Sequence, residues 1–240
     1  MIYFIRHAQA GTRENYDVLS DLGREQARRL GEYFLEQGAQ LEAVYAGGMI
    51  RQRETAEIAC SVMSEAGLAA KEVTIDERWN EFSLASVYRA IARRMMQDSE
   101  EFRRDIAEMQ EALRRDPHTT RGATGRCDAA VIRAWIENRY PDFEGETWAS
   151  FSARIKACIS DLISGQSADD RGMAIAVFTS ATPIAIATAL SLDLSDEKLV
   201  SILGVLYNTS TTVMRARPEG LRLFTFNQAP HLNGSNRTFR

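Results

Sequence analysis

Short apolar runs alternate along the chain with longer stretches in which apolar residues recur every three to four positions, and that alternation predicts the elements. Residues 2–6, IYFIR, read as a short buried strand. Ser20 is placed as a helix N-cap. The stretch SDLGREQARRLGEYFLEQG then sets Leu22, Ala27, Leu30, Tyr33 and Phe34 on one face, with Gly38 as the stop. AVYA (43–46) is a second strand, Gly47 and Gly48 form a turn, and a helix runs through RQRETAEIACSVMSEAG to a third strand, EVTID (72–76). Between about 83 and 145 the strand signal vanishes and charge becomes dense. Two helical stretches, roughly 85–114 and 128–138, flank the polar break DPHTTRGATGR. A helix near 147–164 leads back to MAIAVFTS (173–180), the most apolar strand, which suits a sheet centre covered on both faces. TPIAIATAL continues as a helix. STTVMRA and LRLFTF, split by RPEG, read as an edge hairpin, and the tail NGSNRTFR is expected to be mobile.

The order β-α-β-α-β, helices, β-α-β-β predicts a three-layer α/β/α sandwich. Its sheet is mostly parallel with an antiparallel edge hairpin. Residues 1–240 read as a single domain, and about 83–145 as a helical insertion lying over it as a lid. Ligands of such sheets sit beyond the carboxyl ends of the strands.

Composition narrows the picture mainly by exclusion. The 240 residues are 45% hydrophobic and 26% charged, ordinary for a globular enzyme. A net charge of −4 supplies no broad basic field for nucleic acid or an acidic membrane. The arginines of segment 89–126 are interleaved with Glu and Asp, as on a solvated helix face. Cys60, Cys127 and Cys158 stand far apart with neither disulfide nor zinc spacing, so free thiols in a reducing compartment are expected. No leader pattern opens the chain and no apolar run approaches a membrane span. These features point to a cytoplasmic location.

The strand ends carry the chemistry. Arg6 and His7 close the first strand, and Arg51 opens the helix after the second. Glu77, Arg78 and Glu81 follow the third strand. Thr179 and Ser180 close the fourth, just before a helix start. Arginines and helix N-termini both favour anions, and the guanidinium fork suits phosphate. A histidine of ordinary pKa is roughly three-quarters neutral at pH 7, and neutral imidazole is a nucleophile toward phosphorus. A carboxylic acid could protonate the departing alkoxide. The plainer reading of His7 is a satisfied structural residue. Convergence of Arg51 and the Glu81 region on one sheet edge is what argues for an anion site.

Six stretches also resemble a known family. IRHAQA is similar to the R-H-G-E/Q-T/S/A signature of the histidine phosphatase superfamily, the phosphoglycerate mutase-like fold. LSDLGREQARRLG resembles its L-T/S-x-x-G-x-x-Q-A-x-x-L-G, and VYAGGMIRQRETAEIA its V-x-S-S-x-x-x-R-x-x-Q-T-A. ERWNEFS resembles the stretch with the acidic residue, and AVFTSATPI stands where V-V-S-H-G-G-P-I or V-x-T-S-G-G-x-I would be. YNTSTTVMR and LFTFNQAPHL resemble common C-terminal pieces. The resemblance implies a metal-independent phosphomonoester hydrolase without cofactor, acting on a small phosphorylated substrate or a phosphoprotein. It implies His7 as the nucleophile that becomes phosphohistidine and Arg6 and Arg51 as the phosphate clamp. Glu81 would be the acid, with Glu77 as runner-up. Gln9 and Tyr16 would lie near the pocket mouth, and the insertion would shape substrate choice.

Several positions depart from the pattern. Ala8 replaces Gly, which would strain or narrow the pocket if the position needs positive φ or a close backbone approach. Gly47 and Gly48 replace small hydroxylated residues and are expected to loosen their loop. Glu54 replaces Gln. Ser180 stands where many members carry a second histidine, and offers one hydrogen bond but no charge to the phosphoryl group. The alternative implied by these departures is a weak or inactive relative that binds phosphorylated ligands or a protein partner. Of the other histidines, His118 reads as a solvated loop residue; His231 is either a pocket residue or a peg anchoring the tail. Trp79, Trp135 and Trp148 read as helix packing, with a substrate platform as the minority view for Trp79. Met95 and Met96 read as packing within the lid.

Overall fold

A computed structural model describes residues 1–12, 15–68, 71–117, 119, 121–142, 144–165 and 174–239. Its centre is a six-stranded sheet of order β3-β2-β4-β1-β5-β6. The strands are β1 (Ile2–Arg6), β2 (Leu41–Ala46), β3 (Val73–Ile75), β4 (Ala174–Thr179), β5 (Thr211–Arg217) and β6 (Gly220–Gln228). β3, β2, β4 and β1 run parallel; β5 is antiparallel to β1 and to β6. The hairpin therefore lies at one edge, and the apolar β4 lies inside the sheet between β2 and β1, as its composition predicts.

The period of two along each strand builds the two faces. Ile5, Val44, Ala176 and Phe178 face α1 (Asp21–Glu36) and α2 (Ile50–Glu65), where they meet Leu30, Phe34, Ala56, Ala59 and Met63. Ile2, Phe4 and Val177 face the opposite layer. There Trp79, Phe151, Ile155 and Ile184 complete a larger core from the segment after β3, from α7 (Trp148–Ser164) and from α8 (Ala181–Leu192). Ser20 caps α1 by accepting from the Gly23 N–H at 3.0 Å, and Gly38, at φ +60, ends it with a conformation glycine adopts without cost.

The helical segment differs from expectation in two places. α3 (Leu84–Val87) passes through a π turn (Tyr88–Ala92) into α4 (Arg93–Asp98), and the chain then breaks at Ser99. Ser99 leaves the helix with φ −137 and caps α5 (Glu100–Arg115) through its hydroxyl, which accepts from Phe102 N–H at 3.1 Å. A serine that caps so well ends one helix and begins another. α6 (Ala123–Ile136) starts several residues earlier than expected, so part of the polar break is helix. Thr124, Cys127, Val131 and Ala134 bury one face of α6, and its small polar first turn concealed that face.

Two further differences lie near the C-terminus. The sequence reading has no counterpart of α9 (Asp196–Leu203), whose sole buried residue is Leu199. The tail, expected to be mobile, folds back. Thr238 accepts through its carbonyl from Asn208 N–H at 2.8 Å, and its hydroxyl accepts from Gln26 Nε2 at 2.9 Å. Phe239 stacks on Tyr207 with centroids 4.6 Å apart.

Cys60, Cys127 and Cys158 form no disulfide and are buried, and burial pushes the Cys60 thiol up to about 11 and that of Cys158 to about 12. Trp135 and Trp148 pack edge to face at 5.4 Å, and Met95 is buried among the helices. His118 lies outside the described residues, as does Met173 at the start of the fourth predicted strand. Among the described residues no helix is long and apolar enough to cross a membrane, and no group of three or more His, Cys, Asp or Glu could hold a metal ion.

Candidate active site at the strand ends

Because β1, β2, β3 and β4 are parallel, their carboxyl ends share one edge. Register places Arg6 beside Thr179, so Arg6–His7 and Thr179–Ser180 leave the sheet side by side. His7 N–H donates to the Thr179 carbonyl at 2.8 Å, and Asn208 Nδ2 donates to the His7 carbonyl at 3.0 Å. The backbone on both sides of the imidazole is thus fixed. Thr209 adds to this clamp, donating its N–H to the Arg6 carbonyl at 3.0 Å. It does so at φ 54, an uncommon conformation for a β-branched residue.

The His7 ring is 1% exposed. Its Nδ1 lies 2.8 Å from the Ala8 carbonyl, which can only accept, so Nδ1 carries the proton. Nε2 then holds a lone pair, and Arg51 Nε–H donates to it at 3.2 Å. Burial, reinforced by Arg51 and Arg6, drives the imidazole pKa well below its ordinary value; the Ala8 bond opposes this only in part. The ring is neutral, with its lone pair turned toward a cation.

Arg51 sits in the first turn of α2 and is 5% exposed. Its Nη1 donates to Asp17 Oδ1 at 3.0 Å, and its Cζ lies 4.8 Å from the centroid of the Tyr16 ring. Asp17 also accepts from the backbone N–H of Ile50 at 3.2 Å, occupying the anion position that α2 offers. Tyr16 meets the His7 ring edge to face at 6.0 Å. Arg6, also 5% exposed, donates from Nη1 to the Leu206 carbonyl, and its buried Nε–H has no partner among the described residues.

Glu81 is half-buried at the cleft wall. Its Oε2 accepts from the Thr182 N–H at the start of α8, and its Oε1 from the Phe82 N–H, both at 3.1 Å. Burial outweighs these donors and raises its pKa above the usual carboxylate value. Glu77 is exposed and does not line the cleft. Ser180 is 1% exposed and accepts from Gln52 Nε2 at 2.8 Å, leaving its hydroxyl proton to donate elsewhere.

Arg6, Tyr16, Asp17, Arg51 and Glu81 share one cleft of about 640 Å³; His7, bonded to Arg51, is buried and does not itself line it. Gln9, expected near the mouth, does not line it: its side-chain oxygen accepts from Ser20 Oγ at 2.7 Å. His231 is a peg rather than a pocket residue. Its Nε2 pairs with Thr209 Oγ1 at 2.9 Å, its ring lies on Tyr33, and burial lowers its pKa to about 4. Trp79 is buried against Phe4 and offers no platform.

The departure at Ala8 does not strain the backbone, and the paired glycines do not loosen their loop. Ala8 is not among the residues of positive φ, and its N–H donates to Thr55 Oγ1 at 3.0 Å. The Gly47–Gly48 loop is held by bonds from Gly47 N–H to the Phe178 carbonyl and from Gly48 N–H to Asn80 Oδ1 at 2.6 Å. A Cβ on Gly47 would fall 2.0 Å from Gln52 Oε1, so glycine there admits the amide that holds Ser180. Glu54 pairs with Arg24 at the surface. Asp17, Gln52 and Asn208 escaped the sequence reading. Their partners Arg51, Ser180 and His7 stand 34, 128 and 201 positions away, and no local pattern marks such pairs.

Comparison with known proteins adds the family. The solved structure of YhfR from Bacillus stearothermophilus superposes with a TM-score of 0.64 at 19% identity, covering 96% of this chain and 98% of that one. A mycobacterial glucosyl-3-phosphoglycerate phosphatase, solved with inorganic phosphate, gives 0.60 at 21%, covering 97% and 99%. A phosphoglycerate mutase from Bacillus anthracis gives 0.61 at 20%, covering 96% and 93%. At these identities the likeness is one of fold. No curated protein matches the chain. The family model of the histidine phosphatase superfamily, branch 1, matches residues 2–134 and 127–229, nearly the whole length. With this fold and this match, the chain belongs to the histidine phosphatase superfamily.

Proposed function

We propose that the protein is a metal-independent phosphomonoester hydrolase working through a phosphohistidine at His7. The observation that carries this reading is the Nδ1–H bond to the Ala8 carbonyl, which makes Nε2 the nitrogen with the lone pair that can attack once Arg51 releases it. Arg6 and Arg51 bind the phosphoryl oxygens, and Ser180 adds one neutral donor. Nε2 forms the N–P bond while the P–O bond to the leaving group breaks, and protonated Glu81 delivers its proton to the departing oxygen. Glu81, now a carboxylate, takes a proton from water. The water oxygen bonds to phosphorus, the P–N bond breaks, and inorganic phosphate leaves with His7 neutral again. Two guanidinium groups supply the charge these steps require. Arg51 must first turn its Nε–H from His7 to the incoming phosphate, because the two cannot share that donor.

The helices of 83–145 act as a lid that shapes substrate choice, the substrate being a small phosphate ester or a phosphoprotein. Three cysteines that form no disulfide support a reducing cytoplasm as its location. The second reading, a protein that binds phosphorylated ligands without turning them over, is favoured by the burial of His7 under Arg51. 4-Nitrophenyl phosphate separates the two. The hydrolase releases nitrophenolate and, when quenched, carries acid-labile phosphate that His7→Ala lacks. Undiminished hydrolysis by His7→Ala would overturn the mechanism, and phosphate binding without turnover would establish the second reading.

A further inference from the structure

The cleft changes character along its length. At the sheet edge stand Arg6 and Arg51, the only cations among the described residues that line it. Farther out its wall is apolar, built by Phe82, Leu84 and Met109 with Ile132, Val200 and Leu203 from the later helices. One charge interrupts that wall: Asp128, which accepts a bond from the Tyr88 hydroxyl. At about 640 Å³ the cleft far exceeds a phosphate ion and matches a ligand of drug-like size.

Resting on the hydrolase reading above, we infer that the substrate is a phosphate ester of a sizeable apolar alcohol bearing no second anionic group. Two guanidinium groups are committed to the phosphoryl oxygens. A second phosphate or a carboxylate on the leaving group would enter an apolar chamber, meet no cation among its described lining residues and lie near the Asp128 carboxylate. A buried anion without a partner is strongly disfavoured. An alkyl chain or ring instead removes its own surface and that of Leu84, Met109 and Ile132 from water. Phosphorylated hydroxy acids and sugar bisphosphates are therefore poor fits, and uncharged alkyl or aryl phosphates are good ones.

The test compares esters whose leaving alkoxides are of similar reactivity: hexyl phosphate, glycerol 1-phosphate and 3-phosphoglycerate, with 4-nitrophenyl phosphate as the reference for turnover itself. The expected kcat/KM is highest for hexyl phosphate, at least about tenfold above 3-phosphoglycerate, from burial of the chain. Ile132→Lys places a cation in the chamber and is expected to narrow that ratio at least about threefold. If the variant does not fold, the comparison in the unaltered protein stands alone. Equal or better turnover of 3-phosphoglycerate, with 4-nitrophenyl phosphate still hydrolysed, overturns the inference and leaves the hydrolase reading intact. If no ester is hydrolysed, 4-nitrophenyl phosphate included, the hydrolase reading falls and this inference with it.

Discussion

Two opposing influences meet at the carboxyl group of Glu81. Donors from Thr182 and Phe82 favour its charge, burial resists it, and burial prevails. In the proposed mechanism, an acid whose pKa is raised and a base driven well below 6.5 would divide the work of proton donor and nucleophile between two residues. Glu81→Gln is accordingly expected to depend on the leaving group. Alkyl phosphates, whose alkoxides need a proton, lose about 10²–10⁴-fold in kcat, whereas 4-nitrophenyl phosphate loses much less. Parallel steady-state assays check this, and an equal loss on both would remove Glu81 from the role of acid. At this scale Arg6, His7 and Arg51 were legible in sequence because each stands at or beside the end or start of an element, so the sheet brings them to one edge; Glu81 lies in the irregular stretch before Leu84 and reaches the cleft through its bonds to Thr182 and Phe82. Which nitrogen of His7 carries the proton was not legible, since the Ala8 carbonyl decides it through geometry.

Among the elements, α2 depends on a residue outside itself. Its N-cap, Met49, provides no side-chain bond, and Asp17 fills that role from the loop after β1 while pairing with Arg51. Asp17→Ala is expected to have two effects of different sign. Loss of the cap lowers stability by about 0.5–2 kcal/mol, read from denaturant unfolding. Loss of a half-exposed carboxylate that competes with phosphate for Arg51 tightens inhibition by inorganic phosphate about two- to fivefold. Weaker inhibition would mean that Asp17 positions the guanidinium rather than competing for it. The elements that sequence reveals best are those with a long buried stripe. α1 buries Ala27, Leu30 and Phe34 at helical spacing, and β4 is apolar throughout. α9 buries one residue and α6 opens on small polar residues, so neither carries a comparable signal.

For the molecule as a whole, two buried histidines tie stability to pH. His7 and His231 both have folded pKa values below 6.5, so below that pH the unfolded chain binds more protons than the folded one. Their contribution is fully present above about pH 6.5. It declines on acidification, for His231 until its folded value of about 4. Glu81 opposes the trend, because its raised pKa lets the folded chain take up a proton first. Melting temperature is expected to fall between pH 7 and 4.5, and the fall to shrink in His231→Gln; an unchanged slope would remove His231 from the account. The tail has a comparable reach. Thr238 ties Asn208, which holds the His7 carbonyl, to Gln26 of α1, and Phe239 lines the cleft. A chain stopped after Arg237 is expected to lose activity as well as melting temperature, which calorimetry beside a nitrophenyl phosphate assay would show.

The cleft draws its two ends from different stretches of backbone. The cationic floor rests on β1, α2 and their loops, while the apolar chamber is furnished by α3, α5, α6 and α9. Residues such as Ile132 and Leu203 can thus be exchanged without any strand end changing register. Such a frame lends itself to retailoring: new tastes in alcohol can be acquired by refurnishing the antechamber, one helix face at a time, while the hearth behind it stays lit.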